Sequence, residues 1–297
     1  MAKHDTYFYK DIQPSPEISF QYLKIPIEEL AVVGDVIVID VPKMGDFLRN
    51  MYFDMGQNTL ENLEYFEILM SQTVIFRFTG EYIHMMRTLL TPEQMKPLVD
   101  NVVTLPIGTI PVPYEMRIRA KINSATGIQK AQLGLSAEFG YIKKAAKEFG
   151  TLIEQMQLVS SYESKIFLDF KHCIKELFIV TQDTDKSGFD FSELSRIKLE
   201  LNQHIKVDED SDFFRFIQPM IYHTSYPSND SQPFYVYSFC INPQDIKPSG
   251  SVNASRINSM VLTLTFPDTV QKNVRVYAKS YNYLYIKDGI ATLKYII

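Results

Sequence analysis

The stretch YVYSFCINPQDIKPSGSVNASRINSMVLTLTF, residues 235–266, sets two apolar runs around a polar centre, PSGSVNASRI. The flanks, YVYSFCI and MVLTLTF, are short, aromatic or β-branched, and read as buried strands. An active-site loop, a glycan acceptor and a purely architectural crossing all fit the centre. Its chemistry suits a tight connection. Pro248 fixes φ, Ser249 offers a side chain able to bond the backbone, and Gly250 is free to take φ > 0. Asn253, Ser255 and Arg256 can then satisfy backbone groups left unpaired where the chain crosses between sheets.

The same strand signals recur along the chain. Before residue 143 they lie at 30–42, 47–55, 65–78, 114–123 and 130–142. They resume at 164–170, 174–183, 196–202, 234–241, 260–266, 273–287 and 291–297. In RIKLELN, residues 196–202, Ile197, Leu199 and Leu201 share one face, and Lys198 and Glu200 the other, as a half-buried strand requires. Helical signals are few. GYIKKAAKEFGTLIEQMQ (140–157) places Ile142, Ala145, Ala146, Phe149, Leu152, Ile153 and Met156 on one helical stripe. TPEQMKPLV (91–99) carries a Thr91 cap, Pro92 and a capping-box Gln94, and GEYIHMMRTLL (80–90) is a further helical candidate. The expected fold is therefore all-β: two consecutive jelly-roll β-sandwiches, residues 1–157 and 158–297, joined by a short helical connector within 140–157.

Composition excludes several function classes. Hydrophobic residues make up 45% and charged residues 22%, so the chain folds into a core. A net charge of −5 and the absence of any basic run argue against direct nucleic-acid binding, which draws on clustered Lys and Arg. The longest apolar run, LAVVGDVIVIDVP, is broken by Gly34, Asp35 and Asp40, so no transmembrane segment is expected. The N-terminus lacks a secretory pattern, which implies a reducing, cytosolic setting. The sequons at Asn229 and Asn253 are then chance matches. Cys173 and Cys240 fall in apolar runs and read as buried free thiols.

Catalytic patterns find no foothold. The loop DTDKSGFDFSEL (183–194) puts Asp183, Asp185, Ser187 and Gly188 where a calcium loop would, but Leu194 sits where the bidentate Glu belongs. A polar turn between strands is the preferred reading. The five histidines are scattered, and neither a metal-ligand spacing nor a nucleophile elbow occurs. His84 reads as a packing or surface residue. No metal and no cofactor is expected.

Beyond its turn chemistry, the opening stretch and the following NVRVYAKSYNYLYIKDGIATLKY resemble the C-terminal jelly roll of the major capsid proteins of nucleocytoplasmic large DNA viruses. The matching residues include Tyr237, Ser238, Phe239, Pro248, Ser249, Gly250, Asn253, Ser255, Arg256, Ile257, Val276, Tyr277, Ala278, Tyr281, Asn282 and Leu284. FLDFKHCIKELFIVTQD and FFRFIQPMIYHTSYP are similar to that family's upstream segments. The likeness is strong over 164–297 and weaker before it, and the chain is short for the family. The resemblance implies a double jelly roll and a homotrimer forming pseudo-hexagonal capsomers of an icosahedral shell. It also implies a virion location with assembly in the host cytoplasm, minor capsid proteins as partners, indirect contact with an inner virion membrane, and no enzymatic activity. Alternatives on the same fold are a minor capsid or scaffold protein, a carbohydrate-binding module, and a cupin-like metal enzyme that here lacks its ligands.

Overall fold

A computed structural model of the chain describes residues 18–27, 36–56, 59–90, 102–104, 107, 109–123, 133–142, 148–229 and 231–295. The strands in chain order begin with β1 (Ile18–Ile27), β2 (Val36–Val41), β3 (Phe47–Asp54), β4 (Leu63–Met70) and β5 (Thr73–Phe78). Helix α1 (Gly80–Thr88) follows, then β6 (Val102–Thr104), β7 (Ile110–Pro111), β8 (Met116–Ile122) and β9 (Leu133–Ile142). These strands form two antiparallel sheets, ordered β1-β9-β3-β6, with β7 also on β3, and β2-β8-β4-β5. Phe53 of β3 and Phe66 of β4 are fully buried and meet edge to face at 5.0 Å, which joins the two sheets across one core.

The later strands are β10 (Glu148–Ser161), β11 (Lys165–Phe167), β12 (Cys173–Asp183), β13 (Arg196–Leu201) and β14 (His204–Asp210). A π-helical turn (Phe213–Ile217) and α2 (Gln218–Tyr222) precede β15 (Tyr235–Ser238), β16 (Val252–Asn253), β17 (Met260–Thr265), β18 (Lys272–Lys287) and β19 (Ile290–Leu293). They form the sheets β10-β18-β12-β15, with β16 on β12 and β19 on β18, and β11-β17-β13-β14. One continuous core lies between them. It draws Ile174, Leu177 and Ile179 from β12, Val274 and Val276 from β18, and Ile197, Leu199, Leu262 and Leu264 from the facing sheet. Sheet membership thus changes over between residues 142 and 148.

Packing divides the chain into two compact units that are discontinuous in sequence. One holds the described residues of 1–80, 97–153 and 282–296, the other those of 81–96 and 154–281. In the second, α1 covers β12 and β18. Glu81 receives a bidentate bond from Arg275 (2.9 and 2.6 Å) and a further one from the Tyr277 hydroxyl at 2.7 Å, while the Tyr82 ring lies 5.5 Å from Phe178. Helix α1 begins where β5 ends, at Gly80. There a Cβ would sit 1.9 Å from the Leu60 carbonyl oxygen, so the turn admits no side chain.

The helix expected over 140–157 is a correction: the described part of that stretch is strand, the end of β9 and most of β10. The buried face of β10 is Ile153, Gln155 and Gln157, an alternation of period 2. Two of those three inward residues are glutamines, so apolar spacing hides the strand. Gln157 is satisfied there by local bonds. Its Nε2 donates to the Lys171 carbonyl (2.8 Å) and the Ser280 hydroxyl (2.9 Å), and its Oε1 accepts from the Lys171 N–H (2.9 Å).

The region 65–78, read as one strand, is the hairpin β4–β5. Ser71 and Gln72 turn it with φ of 48° and 69°. Asn202–Gln203 and Asp288–Gly289 repeat the same two-residue, positive-φ loop at β13–β14 and β18–β19. The helix expected at 80–90 is present as α1. The helix expected at 91–99 lies outside the described residues.

Candidate functional site

The polar centre PSGSVNASRI continues a loop, residues 239–251, that is clamped to the outer side of β12 and β18. Two buried lysines hold its first half. Lys175 Nζ donates to the Asp245 carbonyl, and Lys279 Nζ donates to the Pro243 carbonyl at 3.0 Å. Glu154 of β10 lies between the two ammonium groups, bonded to Lys175 and 3.0 Å from Lys279. One carboxylate thus serves two cations, and the loop carbonyls supply the remaining acceptors. Lys175 and Glu176 are both 0% exposed, consecutive in sequence, and sit at a register shift in the β12–β18 ladder. That bulge lets adjacent charged residues each find a partner, Lys175 on Glu154 and Glu176 on His223 at 2.5 Å.

The loop is closed internally by the residues predicted for it. Ser249 Oγ accepts from the Asn242 N–H at 2.9 Å and donates to the Asn242 carbonyl, and the Ser249 carbonyl accepts from the Ile241 N–H. Gly250 has φ +144°, and a Cβ there would lie 2.9 Å from both the Cys240 Cα and the Phe239 carbonyl oxygen. Pro248 is exposed on the loop's outer edge. Asn253 pairs with Cys173 through β16 and β12, although its buried Oδ1 has no partner among the described residues. Ser255 Oγ accepts from the His172 N–H at 2.8 Å, and the Ala254 N–H donates to the His172 carbonyl, also at 2.8 Å. Arg256 ends the 3-10 turn Ala254–Arg256, is exposed, and has no polar partner among the described residues. The structure therefore brings Ser249, Gly250, Asn253 and Ser255 into one strapped connection and leaves the Arg256 side chain outside it.

Sequence reasoning missed the inner half of this arrangement. Lys175, Lys279 and Glu154 lie on three different strands, and nothing in their local context signals that they meet. The only hint is the pair Lys175–Glu176 inside the apolar run CIKELFIV, which a strand buried on both faces has to accommodate.

The chemistry open to these groups is narrow. Burial, and next the Lys279 charge, pulls the Lys175 ammonium below its ordinary pKa. A lysine so perturbed is the type used in Schiff-base catalysis. Here its side chain is 0% exposed and already bonded to Glu154 and the Asp245 carbonyl, so no substrate carbonyl can reach it. The calcium-like loop is committed as well: Asp183 accepts from Lys272 Nζ (2.5 Å) and the Ser192 hydroxyl (2.6 Å). Hydrogen bonding from Lys272 holds the Asp183 carboxyl below its ordinary value. His84 packs against Phe189 at 4.7 Å, and burial lowers its pKa. Cys173 and Cys240 are both free thiols. Among the described residues no group of three or more His, Cys, Asp or Glu could hold a metal ion, and no helix is long and apolar enough to cross a membrane.

Comparison with known proteins gives one consistent answer. Residues 146–292 match the family model described as large eukaryotic DNA virus major capsid protein. A major capsid protein of Pyramimonas orientalis virus is 27% identical over 223 residues, 65% of this chain and 56% of its own length. One of Phaeocystis pouchetii virus is 38% identical over 104 residues, 33% of this chain and 19% of its own. The chain thus spans little more than half the length of the first of these relatives. Among solved structures, PBCV-1 VP54 superposes with a TM-score of 0.76 at 18% identity, covering 98% of this chain and 100% of that one. The Faustovirus major capsid protein superposes at 0.70 and 10% identity, covering 94% and 92%. Those two likenesses extend the jelly-roll capsid fold over nearly the whole chain. Residues 146–292, which hold the strapped loop with its YSF and PSG segments, match the large eukaryotic DNA virus major capsid protein family.

Proposed function

We propose that this protein is a structural component of a large DNA virus capsid, located in the virion shell and assembled in the host cytoplasm. Three copies associate as a homotrimer whose six sandwich lobes, two from each copy, give a pseudo-hexagonal capsomer that tiles an icosahedral lattice. Closed three-fold symmetry repeats one heterologous contact around the ring. Neighbouring capsomers and minor capsid proteins are its partners. Contact with an inner membrane is indirect, and no nucleic acid is bound directly. It performs no catalysis.

The observation that carries this reading is the pairing of a capsid-family match over 146–292 with a capsid-type fold over nearly the full chain. The strapped loop supports it, because a shell subunit requires rigid lobes and the clamp uses buried charges to fix backbone, leaving none free for a ligand. Sedimentation equilibrium tests the reading. A single species at three times the 34.4 kDa chain mass is expected, and a monomer at every concentration would count against it.

A further inference from the structure

Residues 216–229, FIQPMIYHTSYPSN, contain no Asp, Glu, Lys or Arg, in a chain where such residues make up 22%. At that frequency about three would be expected, and depletion of charge with retention of Met and aromatics marks the centre of protein–protein contacts. Three polar side chains of this segment and the turn before it, Arg215, Gln218 and His223, are turned inward and used as fasteners. Arg215, 8% exposed, donates to the carbonyls of Asn229 (3.1 Å) and Ser231 (2.8 Å). Gln218, 6% exposed, accepts from the Ser238 N–H at 3.1 Å. His223 closes the end of α2 onto buried Glu176.

Four large apolar side chains point the other way. Ile217 is 40% exposed, Met220 57%, Ile221 58% and Tyr226 57%. A surface helix ordinarily buries its apolar stripe and exposes its polar one, whereas α2 buries Gln218 and exposes Met220 and Ile221.

We propose that this face, Ile217, Met220, Ile221 and Tyr226, is where one copy of the chain docks on another. The proposal rests on the self-assembling reading above. Each copy carries a net charge of −5, so copies repel wherever their charges face each other. An uncharged apolar surface is the place where like-charged copies approach without desolvating ions. Because Arg215, Gln218 and His223 already hold the segment, docking orders little additional backbone, and the buried apolar area is realised as affinity.

The test compares the full-length protein with Met220→Glu/Ile221→Glu by sedimentation. The wild type is expected to assemble, and the variant to dissociate at a concentration about 100-fold higher or more, with an unchanged circular dichroism spectrum. A wild type that assembles beside a folded variant that assembles equally well overturns this proposal alone and assigns the face to some other partner. A wild type that stays monomeric overturns both this proposal and the trimer. Should the variant fail to fold, hydroxyl-radical footprinting of the unmodified assembled protein decides. Met220 is expected to oxidise about 10-fold more slowly than in urea-unfolded chain, and an equal rate rejects the docking face.

Discussion

Tyr235 shows how one side chain ties pH to stability. Its ring is 1% exposed, its hydroxyl accepts the Leu194 N–H at 2.7 Å, and burial pushes its pKa up to about 12. The folded state therefore holds the proton more tightly than the unfolded chain. That contribution is complete below pH 10 and is lost as pH rises from 10 through about 12, amounting to about 2–3 kcal/mol. Tyr235→Phe removes it and leaves the Leu194 N–H unpaired, at a cost of about 1–3 kcal/mol at neutral pH. Urea unfolding at pH 7 to 12 should show the gap between wild type and variant narrowing with pH, and a constant gap would contradict the assignment. Gly250→Ala combines a disfavoured φ with a Cβ against Cys240, and should cost about 2 kcal/mol or more. Arg256→Ala, by contrast, should stay within about 0.5 kcal/mol of wild type, because its side chain touches no polar partner among the described residues. A loss above about 1.5 kcal/mol in the same urea assay would show that Arg256 anchors the loop after all.

Strands were the most legible elements, and β10 explains where legibility stopped. Patterns with apolar inward positions, such as Ile197, Leu199 and Leu201, declare their period directly. Strand β10 places Gln155 and Gln157 inward, and its Leu, Glu, Gln and Met content favours helix in isolation, so tertiary pairing overrides propensity. Gln157→Leu tests this. Although more apolar, it strands the Lys171 N–H and carbonyl and should lower stability by about 2–4 kcal/mol in urea titration. A neutral or stabilising result would mean that those bonds are not made. The hairpin at Ser71–Gln72 was hidden for another reason. Positive φ at both turn positions normally calls for Gly or Asn, and neither is present. The outer strap residues of the candidate site were readable from turn chemistry, whereas the lysine clamp was not, because Lys175, Lys279 and Glu154 converge only once the sheet is formed.

In the folded chain these pieces serve one purpose. Four antiparallel sheets supply two stiff cores, and the strap fixes the β15–β16 connection of the second sandwich by hydrogen bonds to backbone. Breaking the buried ion cluster should therefore disturb assembly through folding. Glu154→Gln leaves Lys175 and Lys279 without their shared counter-charge and is expected to destabilise by about 3–5 kcal/mol, read as a lower thermal midpoint. An unchanged midpoint would show that the cluster bears no load. If copies of this chain are building blocks of a shell, negative-stain electron microscopy of the purified protein shows it directly. Three-fold particles with a pseudo-hexagonal, six-lobed outline are the predicted result. A field of single two-lobed particles, unchanged across concentration, would contradict it.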